Sequence, residues 1–274
     1  MLLVPAARAA AVEELSLEQC RRIAAEFLGV AAGELVPRPR GAKSESDWQP
    51  TTYAFILPHP KESQVEEWLR ALGRAAITVE AQRGEVLNVD YEPRRYEIGQ
   101  GQLSEAEAKG IADSYLETHW PHWTGARFYS ATKPSTPNPA ARPLRAPAQS
   151  FRWVVEENGI RVGEAGAQVN LSTGKVVSYT QHYYSAQGLP PARLSKQQAI
   201  SALLERLDER QRASAKVQEA YLATCWYTGR VRLSWVIYAQ APARVPPGYR
   251  GKPPVRTQGL QLDAHTGEVY LEVK

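Results

Sequence analysis

The sequence predicts an α+β fold of three tandem repeats, each an N-terminal helix packed on a three- to four-stranded antiparallel sheet that ends in a glycine-turn hairpin. Two observations predict it. A Leu-Ser pair opens a helical pattern three times, and each time a strand, a glycine and a valine follow. The serine-to-glycine separations are 68, 70 and 72 residues, and self-similarity at a near-constant period is the signature of repeat architectures. The predicted copies are 13–95, 103–185 and 194–274.

Each predicted helix begins with the same capping pattern. A serine is followed three residues later by glutamine or glutamate, in the pairs Ser16 and Gln19, Ser104 and Glu107, and Ser195 and Gln198. In such a capping box each side chain satisfies the other residue's free backbone N–H. Apolar residues recur at offsets 4, 7, 8 and 12 from the serine, which predicts a helical stripe buried against a sheet.

Each copy closes on a strand that alternates apolar and polar residues before a glycine, at Gly84, Gly174 and Gly267. Alternation with period two predicts a strand with one covered face, and the glycine supplies the positive φ of the turn. Trp153 and Trp235 lie at the centres of earlier strands, and we expect both in the core because large aromatic rings bury much apolar area.

The copies differ in their middles. Copy one is divergent and contains Glu66–Leu72, a predicted second short helix. Copy two carries a Pro-rich insertion at 132–147, and copy three a Pro-rich basic loop at 242–256. Proline at this density ends strands and stiffens loops. Since the shared residues account for folding, function is to be sought where the copies disagree.

Composition excludes several classes of protein. The 274 residues are 43% hydrophobic and 23% charged, which is too apolar for a disordered chain. The net charge of +4 comes from 33 basic and 29 acidic residues, without the clustered excess expected of a nucleic-acid binder. No run of eighteen apolar residues is present, so the sequence predicts no transmembrane segment.

Two features bear on the cellular compartment without deciding it. Met1–Ala11 combines a short apolar run with small residues of the kind found at signal-peptidase sites, and it is either the remnant of an export signal or an ordinary terminus. Cys20 and Cys225 lie in different copies, so a disulfide scaffold is not indicated. Cys20 falls on the apolar helix stripe, where we expect an inert buried thiol.

The second and third copies resemble a known family. Asn158–Val162 followed by Gln168–Tyr179 resembles the YcdB/YcdC-type repeat of bacterial envelope proteins, and Leu262–Val269 resembles the end of a PepSY domain. These modules are related to the propeptide modules of thermolysin-type metallopeptidases. Copy one departs from the pattern because it lacks the Asn-Gly-Ile-x-Val element and has Gln82-Arg83 before its glycine.

The resemblance implies a non-catalytic module that is often exported and is in some contexts associated with peptidase inhibition or propeptide function. It carries over no catalytic residues. The chain itself contains no His-Glu-x-x-His, Gly-x-Ser-x-Gly, Walker or Cys-x-x-Cys motif. We therefore predict no enzyme activity, no catalytic or metal-ligating residues and no cofactor, with an unrecognised hydrolase as the minor alternative.

One aromatic segment stands out as a candidate contact site: His119, Trp120, His122 and Trp123. Its two imidazoles could hold a metal, although no acid or cysteine stands nearby to complete a zinc site. Its rings could form a ligand platform. The third interpretation, which we favour, is a helix end whose tryptophans pack into the sheet.

The Pro-rich loops supply basic candidates for ligand or partner contact: Arg142, Arg145, Arg250 and Lys252. Basic loops could bind anionic cell-wall polymer, lipid headgroups or an acidic protein. The simpler interpretation, which we favour, is solvated charge that keeps the loops soluble.

The sequence thus predicts a non-catalytic extracytoplasmic or envelope-associated module that binds protein or regulates a peptidase, with a cytoplasmic location still open. Exposed sheet edges offer a route to peptide capture by strand addition. The alternative is an envelope scaffold that binds polysaccharide or lipid through aromatic and basic loops. The expected partner is a protein, such as a peptidase, or an envelope polymer, and no nucleic acid.

Overall fold

The computed structural model describes residues 14–38, 43–46, 49–59, 73–135, 144–243, 251 and 253–273. The chain divides into two compact units. The first comprises Met1–Ile111, Pro134–Gln149 and Gln168–Thr180, and the second comprises Ala112–Lys133, Ser150–Ala167 and Gln181–Lys274. Compactness therefore gives two units whose boundary passes through the second predicted copy. The boundaries of the three repeats stay a prediction.

The fold class is α+β, as the sequence predicted. The helices are α1 Leu17–Leu28, α2 Glu105–His119, α3 Lys196–Leu204 and α4 Glu209–Ser214. The strands are β1 Val36–Pro37, β2 Lys43–Ser46, β3 Gln49–Leu57, β4 Ala75–Glu80, β5 Val86–Asp90, β6 Ala126–Ala131, β7 Ala148–Glu157, β8 Ile160–Asn170, β9 Val176–Tyr183, β10 Lys216–Tyr227, β11 Arg230–Pro242, β12 Val255–Asp263 and β13 Val269–Val273.

Strand pairing is mostly antiparallel in both units. In the first unit, β1 and β2 pair with β3, the order continues through β4 and β5, and β5 pairs with β9. In the second unit, β6 pairs with β7, and β10, β11, β12 and β13 pair in sequence order. The β8–β10 pairing is parallel and joins Ile160 to Leu222 and Arg161 to Ala223.

All three predicted helix starts are confirmed. Ser16 and Ser195 each accept a hydrogen bond from the backbone N–H of the glutamine three residues later, and that glutamine accepts one in return. Ser104 exchanges the same bonds with Glu107. The predicted stripes face inward, with these fully buried members: Cys20, Ala24, Ala108, Ala112, Leu116, Ala199 and Leu203. Burial raises the pKa of Cys20 to about 11, with a smaller contribution from Glu14, so its thiol is inert at neutral pH.

The three predicted glycine turns are also confirmed. Gly84, Gly174 and Gly267 have φ values of 69°, 70° and 77°, which are left-handed conformations that a side chain would strain. Each glycine N–H donates to the carbonyl four residues earlier, at 3.0, 2.9 and 3.0 Å. The same turn therefore closes three hairpins.

The start and the end of each copy meet. The leucine of each Leu-Ser pair, Leu15, Leu103 or Leu194, donates its backbone N–H to a carbonyl three residues before the turn glycine, over 2.7, 2.8 and 2.9 Å. Its side chain lies over the glycine, because a Cβ at Gly174 would stand 3.5 Å from Leu103 Cδ1. We call this contact the Leu-Gly clasp. The sequence marks both partners but gives no indication that they touch.

A buried polar residue forms the base of each turn, and the second and third copies use it alike. Asn170 Oδ1 accepts from the N–H groups two and three residues later, at 2.8 and 3.3 Å. Asp263 Oδ1 does the same at 2.8 Å for both. These side chains satisfy backbone donors that the tight turn would otherwise leave without a partner.

In the first copy an ion pair occupies the corresponding place. Glu80 stands at the corresponding position with 1% of its surface exposed, and Arg83 donates to its carboxylate. Arg83 also lies 3.3 Å from Glu85. Burying a carboxylate is costly unless it is paired, so Arg83 balances Glu80. Arg83, one of the residues by which copy one departs from the family pattern, thus has a structural role.

The polar linker after the first copy is tied to the second hairpin. Asn170 Nδ2 donates to the carbonyls of Arg94 and Glu97 at 2.7 and 2.8 Å. The guanidinium of Arg94 donates to the Val176 carbonyl at 2.8 Å, and Arg95 donates to the Gln168 side chain at 2.9 Å. Backbone carbonyls and arginine side chains of the linker therefore both hydrogen-bond to the second hairpin.

The predicted strand-centre tryptophans lie in the core. Trp153 and Trp235 are 2% and 7% exposed. The indole N–H of Trp235 donates to the Leu194 carbonyl at 2.9 Å, which satisfies its buried polar atom. Trp235 packs in a core cluster with Leu203 of α3 and Leu262 of β12.

Some sequence predictions lie outside the described residues. They are the helix at Glu66–Leu72, the terminus Met1–Ala11, and the parts of the Pro-rich loops at 136–143, 244–250 and 252. No helix in the described part of the chain is long and apolar enough to cross a membrane.

We expect Gly174→Val to lower the free energy of unfolding by at least about 1 kcal/mol, because φ of +70° disfavours a side chain. The new atoms would also press on Ile111 Cδ1, 3.3 Å from the Cβ position. The control is Gly110→Ala, in α2, where a Cβ meets nothing within 4 Å and helix propensity predicts a gain of up to about 1 kcal/mol. Urea unfolding measures both, and equal stability of the two variants would contradict the turn assignment.

We expect Asp263 to make stability depend on pH. Burial raises its pKa, but hydrogen bonds from Tyr270 and from the N–H groups of Thr266 and His265 lower it, and the net shift is downward. A depressed pKa stabilises the fold above the unfolded-state value of about 3.9, and this contribution is lost as pH falls through the folded-state value. Asp263→Asn should therefore cost about 1.5–3 kcal/mol at pH 7 and progressively less in acid.

Urea unfolding of the wild type and Asp263→Asn between pH 7 and pH 2 measures this difference. Glu205→Gln, which changes an exposed carboxylate of the same unit, is the control and should have little effect. A stability difference for Asp263→Asn that stays constant over the whole pH range would show that the carboxylate does not titrate differently in the folded and unfolded states.

Candidate functional site

The predicted aromatic segment follows the C-terminus of α2. Trp120 is 2% exposed, and its backbone N–H donates to the Leu116 carbonyl at 2.7 Å. This ring is a core residue, as the packing interpretation expected, and it presents no surface to a ligand.

The two imidazoles of the segment have different ring partners. The His119 ring lies 4.3 Å from the ring of Tyr115, whereas His122 stacks on Tyr183 at 3.6 Å and an interplanar angle of 11°. Burial lowers the pKa of His119, so it is neutral at pH 7. No group of three or more His, Cys, Asp or Glu among the described residues could hold a metal ion, and the metal interpretation gains no support from the geometry.

Trp123 joins an aromatic cluster on β6 and β7. Its ring centroid lies 5.9 Å from that of Trp153, and Phe128 approaches Trp153 edge-on at 5.5 Å. Phe128 is 42% exposed. The exposed aromatic surface of this cluster is therefore provided by Phe128 and the half-buried Trp123, and a ligand contact there stays a prediction.

Of the predicted basic candidates, the structure describes Arg145. Arg145 is exposed in the first unit, with its guanidinium 3.5 Å from the Glu92 carboxylate and 5.8 Å from the Tyr96 ring. The aromatic segment belongs to the second unit. Arg142, Arg250 and Lys252 lie outside the described residues.

The second unit has a sheet face that the sequence did not single out. Register places Tyr221, Val236, Gln261 and Leu271 side by side on β10, β11, β12 and β13, and we call this row and its neighbours the open face. Helix α3 packs on the other side of these strands, against Leu233, Trp235 and Ile237. A shallow depression of about 20 Å³ marks the open face, lined by Val236, Tyr238, Gly259, Leu260, Gln261 and Leu271.

The open face ends at strand β13. This strand pairs with β12 along one edge, and no other described strand pairs with it. Its side chains alternate, since Tyr270 is 5% exposed and Leu271 is 47% exposed. An edge strand with an outward-facing leucine is a template for a further strand.

At the other end of the open face, an arginine lies between two tyrosines. The guanidinium of Arg161 stands 3.7 Å from the ring centroid of Tyr221 and 4.4 Å from that of Tyr129, within the range of cation–π attraction. Tyr129 donates its hydroxyl to Glu219. Burial and this hydrogen bond raise the pKa of Tyr129, so the phenol stays protonated and keeps donating.

Sequence reasoning missed this cluster for a definable reason. Arg161 belongs to the Asn158–Val162 element that the sequence singles out, and Tyr129 and Tyr221 lie in β6 and β10. The missing information is the parallel pairing of β8 with β10, which brings Arg161 to Tyr221 across 60 residues. No local pattern encodes that pairing.

Comparison with known proteins confirms the resemblance that the sequence indicated. Residues 71–183 match the YcdB, YcdC repeated domain. The matched segment contains the hairpin that closes the first copy and nearly all of the second copy. It covers less than half of the chain. Its described part includes the first and second glycine turns and the linker tied to Asn170.

Two solved structures are similar to the chain at low identity. The Bacillus megaterium YpeB C-terminal domain is 16% identical, with 96% of this chain and 98% of that chain covered and a TM-score of 0.44. An uncharacterised protein from Eubacterium rectale is 11% identical, with 93% and 81% covered and a TM-score of 0.48. No curated protein matches the chain.

We expect Arg161→Lys to destabilise the chain by about 1–2 kcal/mol, because an ammonium loses the planar stacking between the rings of Tyr129 and Tyr221. The matched control is Arg127→Lys, which alters an exposed pair with Glu156 and should cost less than about 0.5 kcal/mol. Urea unfolding followed by tryptophan fluorescence separates the two, and equal losses would contradict a special role for Arg161.

Proposed function

We propose that this chain is a non-catalytic PepSY-like module that binds an extended segment of a protein partner by adding it as a strand to β13. In this way it regulates a peptidase, as an inhibitory or propeptide-like domain acting outside the cytoplasm. The observation that carries the proposal is the edge of β13, with Leu271 exposed beside the open face.

The edge offers both affinity and selectivity. Backbone N–H and C=O groups along an unpaired edge bind any extended chain, and side-chain contacts on one face select among chains. Leu271, Val236 and Tyr238 line the depression beside the edge. An added strand would place alternate side chains over this surface, so we expect apolar residues at every second position of the partner.

The three clasps support a three-copy architecture. We infer that each copy is a capped helix laid over a hairpin-ended sheet, because Leu15, Leu103 and Leu194 make the same contact with the turn that ends their copy. The match to a repeated domain agrees with this inference. An extracytoplasmic location is supported by the resemblance to envelope proteins.

Binding of polysaccharide or lipid through aromatic and basic loops is the alternative. Its aromatic part is weakened by Trp120, which is buried, and by His122, which is stacked on Tyr183. We therefore propose no second function on that basis.

The test is inhibition and binding against a panel of purified secreted peptidases that includes thermolysin. We expect the full chain to inhibit at least one of them, and hydrogen exchange of the β13 amides to slow in that complex. Leu271→Lys places a charge on the edge, as natural edge strands do to prevent pairing, and should weaken inhibition about ten-fold or more.

The matched control is Val255→Lys, which also replaces an exposed apolar residue, on β12 before the segment that pairs with β13. It should inhibit like the wild type. The proposal is wrong if no peptidase of the panel is inhibited, or if Leu271→Lys inhibits as well as the wild type does.

A further inference from the structure

A cavity of about 170 Å³ opens in the second unit, within the predicted third copy and beside the two ends of its Pro-rich loop. Its described lining residues are Arg206, Leu207, Gln211, Ala243, Arg256, Gln258 and Glu272. The cavity is therefore bounded by the loop between α3 and α4, by α4, and by strands β12 and β13.

The wall formed by α4 is rigid. The guanidinium of Arg212 donates to the carbonyls of Leu204, Glu205 and Leu207 at 3.0, 3.3 and 3.1 Å, so it caps the end of α3 and fixes the loop that carries Arg206. A basic side chain at a helix C-terminus is favourable for both hydrogen bonding and the helix dipole. The cavity is thus preformed in the absence of a ligand.

Gln211 strengthens the same wall through both ends of its side-chain amide. Its side-chain N–H donates to the Pro242 carbonyl at 2.9 Å, and its side-chain oxygen accepts from the Asp208 N–H at 3.3 Å. The Ala243 N–H donates to the Pro254 carbonyl at 2.7 Å and closes the base of the neighbouring loop. These bonds hold the backbone around the cavity in place.

The donors that face a ligand come from β12 and from the α3–α4 loop. Gln258 is 9% exposed, and its side chain has no hydrogen bond to any residue that the structure describes. Arg256 is exposed and has no ion pair within the described ranges. Arg206 lies 3.5 Å from the Glu272 carboxylate, and this exposed pair is weak. The Gln258 amide can therefore hydrogen-bond to a ligand or water that enters the cavity.

We propose that this cavity is a binding site for a carboxylate. Two guanidinium groups form bidentate, charge-assisted hydrogen bonds with carboxylates, and the Gln258 amide donates a further N–H. The lining carries two positive charges and one negative charge, so it matches a monoanion better than a phosphate dianion. The acidic side chain of a protein and a free small acid share this chemistry. The proposal does not depend on strand addition at β13.

The experiment is an NMR titration of the ¹⁵N-labelled full chain that follows the side-chain amide signals of Gln258. The probes are N-acetyl-glutamate amide, which carries one carboxylate, its neutral isostere N-acetyl-glutamine amide, propionate and inorganic phosphate. We expect saturable shifts with both carboxylates and none with the neutral isostere. Tighter binding of blocked glutamate than of propionate would assign the site to an acidic side chain of a protein. Equal binding of the two probes would assign it to small acids in general.

Two variants provide a second test of the carboxylate site. Arg256→Gln removes an exposed charge without disturbing the core and should weaken carboxylate binding about ten-fold, the loss expected for one charge-assisted contact. Arg210→Gln makes the same change on an exposed arginine of α4 outside the cavity and should bind as the wild type does. Absence of saturable shifts in the wild type, equal binding by Arg256→Gln, binding of the neutral isostere, or tighter binding of phosphate would each overturn the proposal.

Discussion

The Leu-Gly clasp is the contact on which each predicted copy of this fold depends. A single leucine supplies a backbone donor to the closing hairpin and an apolar cover for its glycine, so the beginning of a copy is fixed to its end. The glycine has to be small for two reasons, positive φ and the side chain above it. Because the ends are held together, the segments between them can differ in length and composition, and the copies do differ there.

The residue four positions before each turn glycine differs in chemistry between the copies, although its place in the hairpin is the same. A buried polar side chain stands at the base of each turn: Glu80, which is paired with Arg83, Asn170 and Asp263. Asn170 and Asp263 accept hydrogen bonds from backbone N–H groups of the turn. In the first copy two residues differ together from the other copies. The buried acid Glu80 is paired with the neighbouring base Arg83.

Local features of the fold could be predicted from sequence, and long-range ones could not. Ser16 and Gly84 act through neighbours within four residues, so composition and spacing were sufficient to identify the cap and the turn. Burial of Trp120 followed from its place at a helix end. The placement of Arg161 between Tyr129 and Tyr221 needs a parallel strand pairing, and the cavity at Gln258 needs the bond between Gln211 of α4 and the Pro242 carbonyl. These sites depend on contacts between residues distant in sequence, and no periodicity records them.

The linker bound to Asn170 has a consequence for digestion of the chain by peptidases. Peptidases cut chains that can be drawn out into an extended strand, and linkers between repeats are usual places for nicking. Here the carbonyls of Arg94 and Glu97 are engaged by a buried amide, so cleavage requires the second hairpin to release the segment first. Resistance of the linker to digestion is therefore coupled to the stability of the copy that follows it.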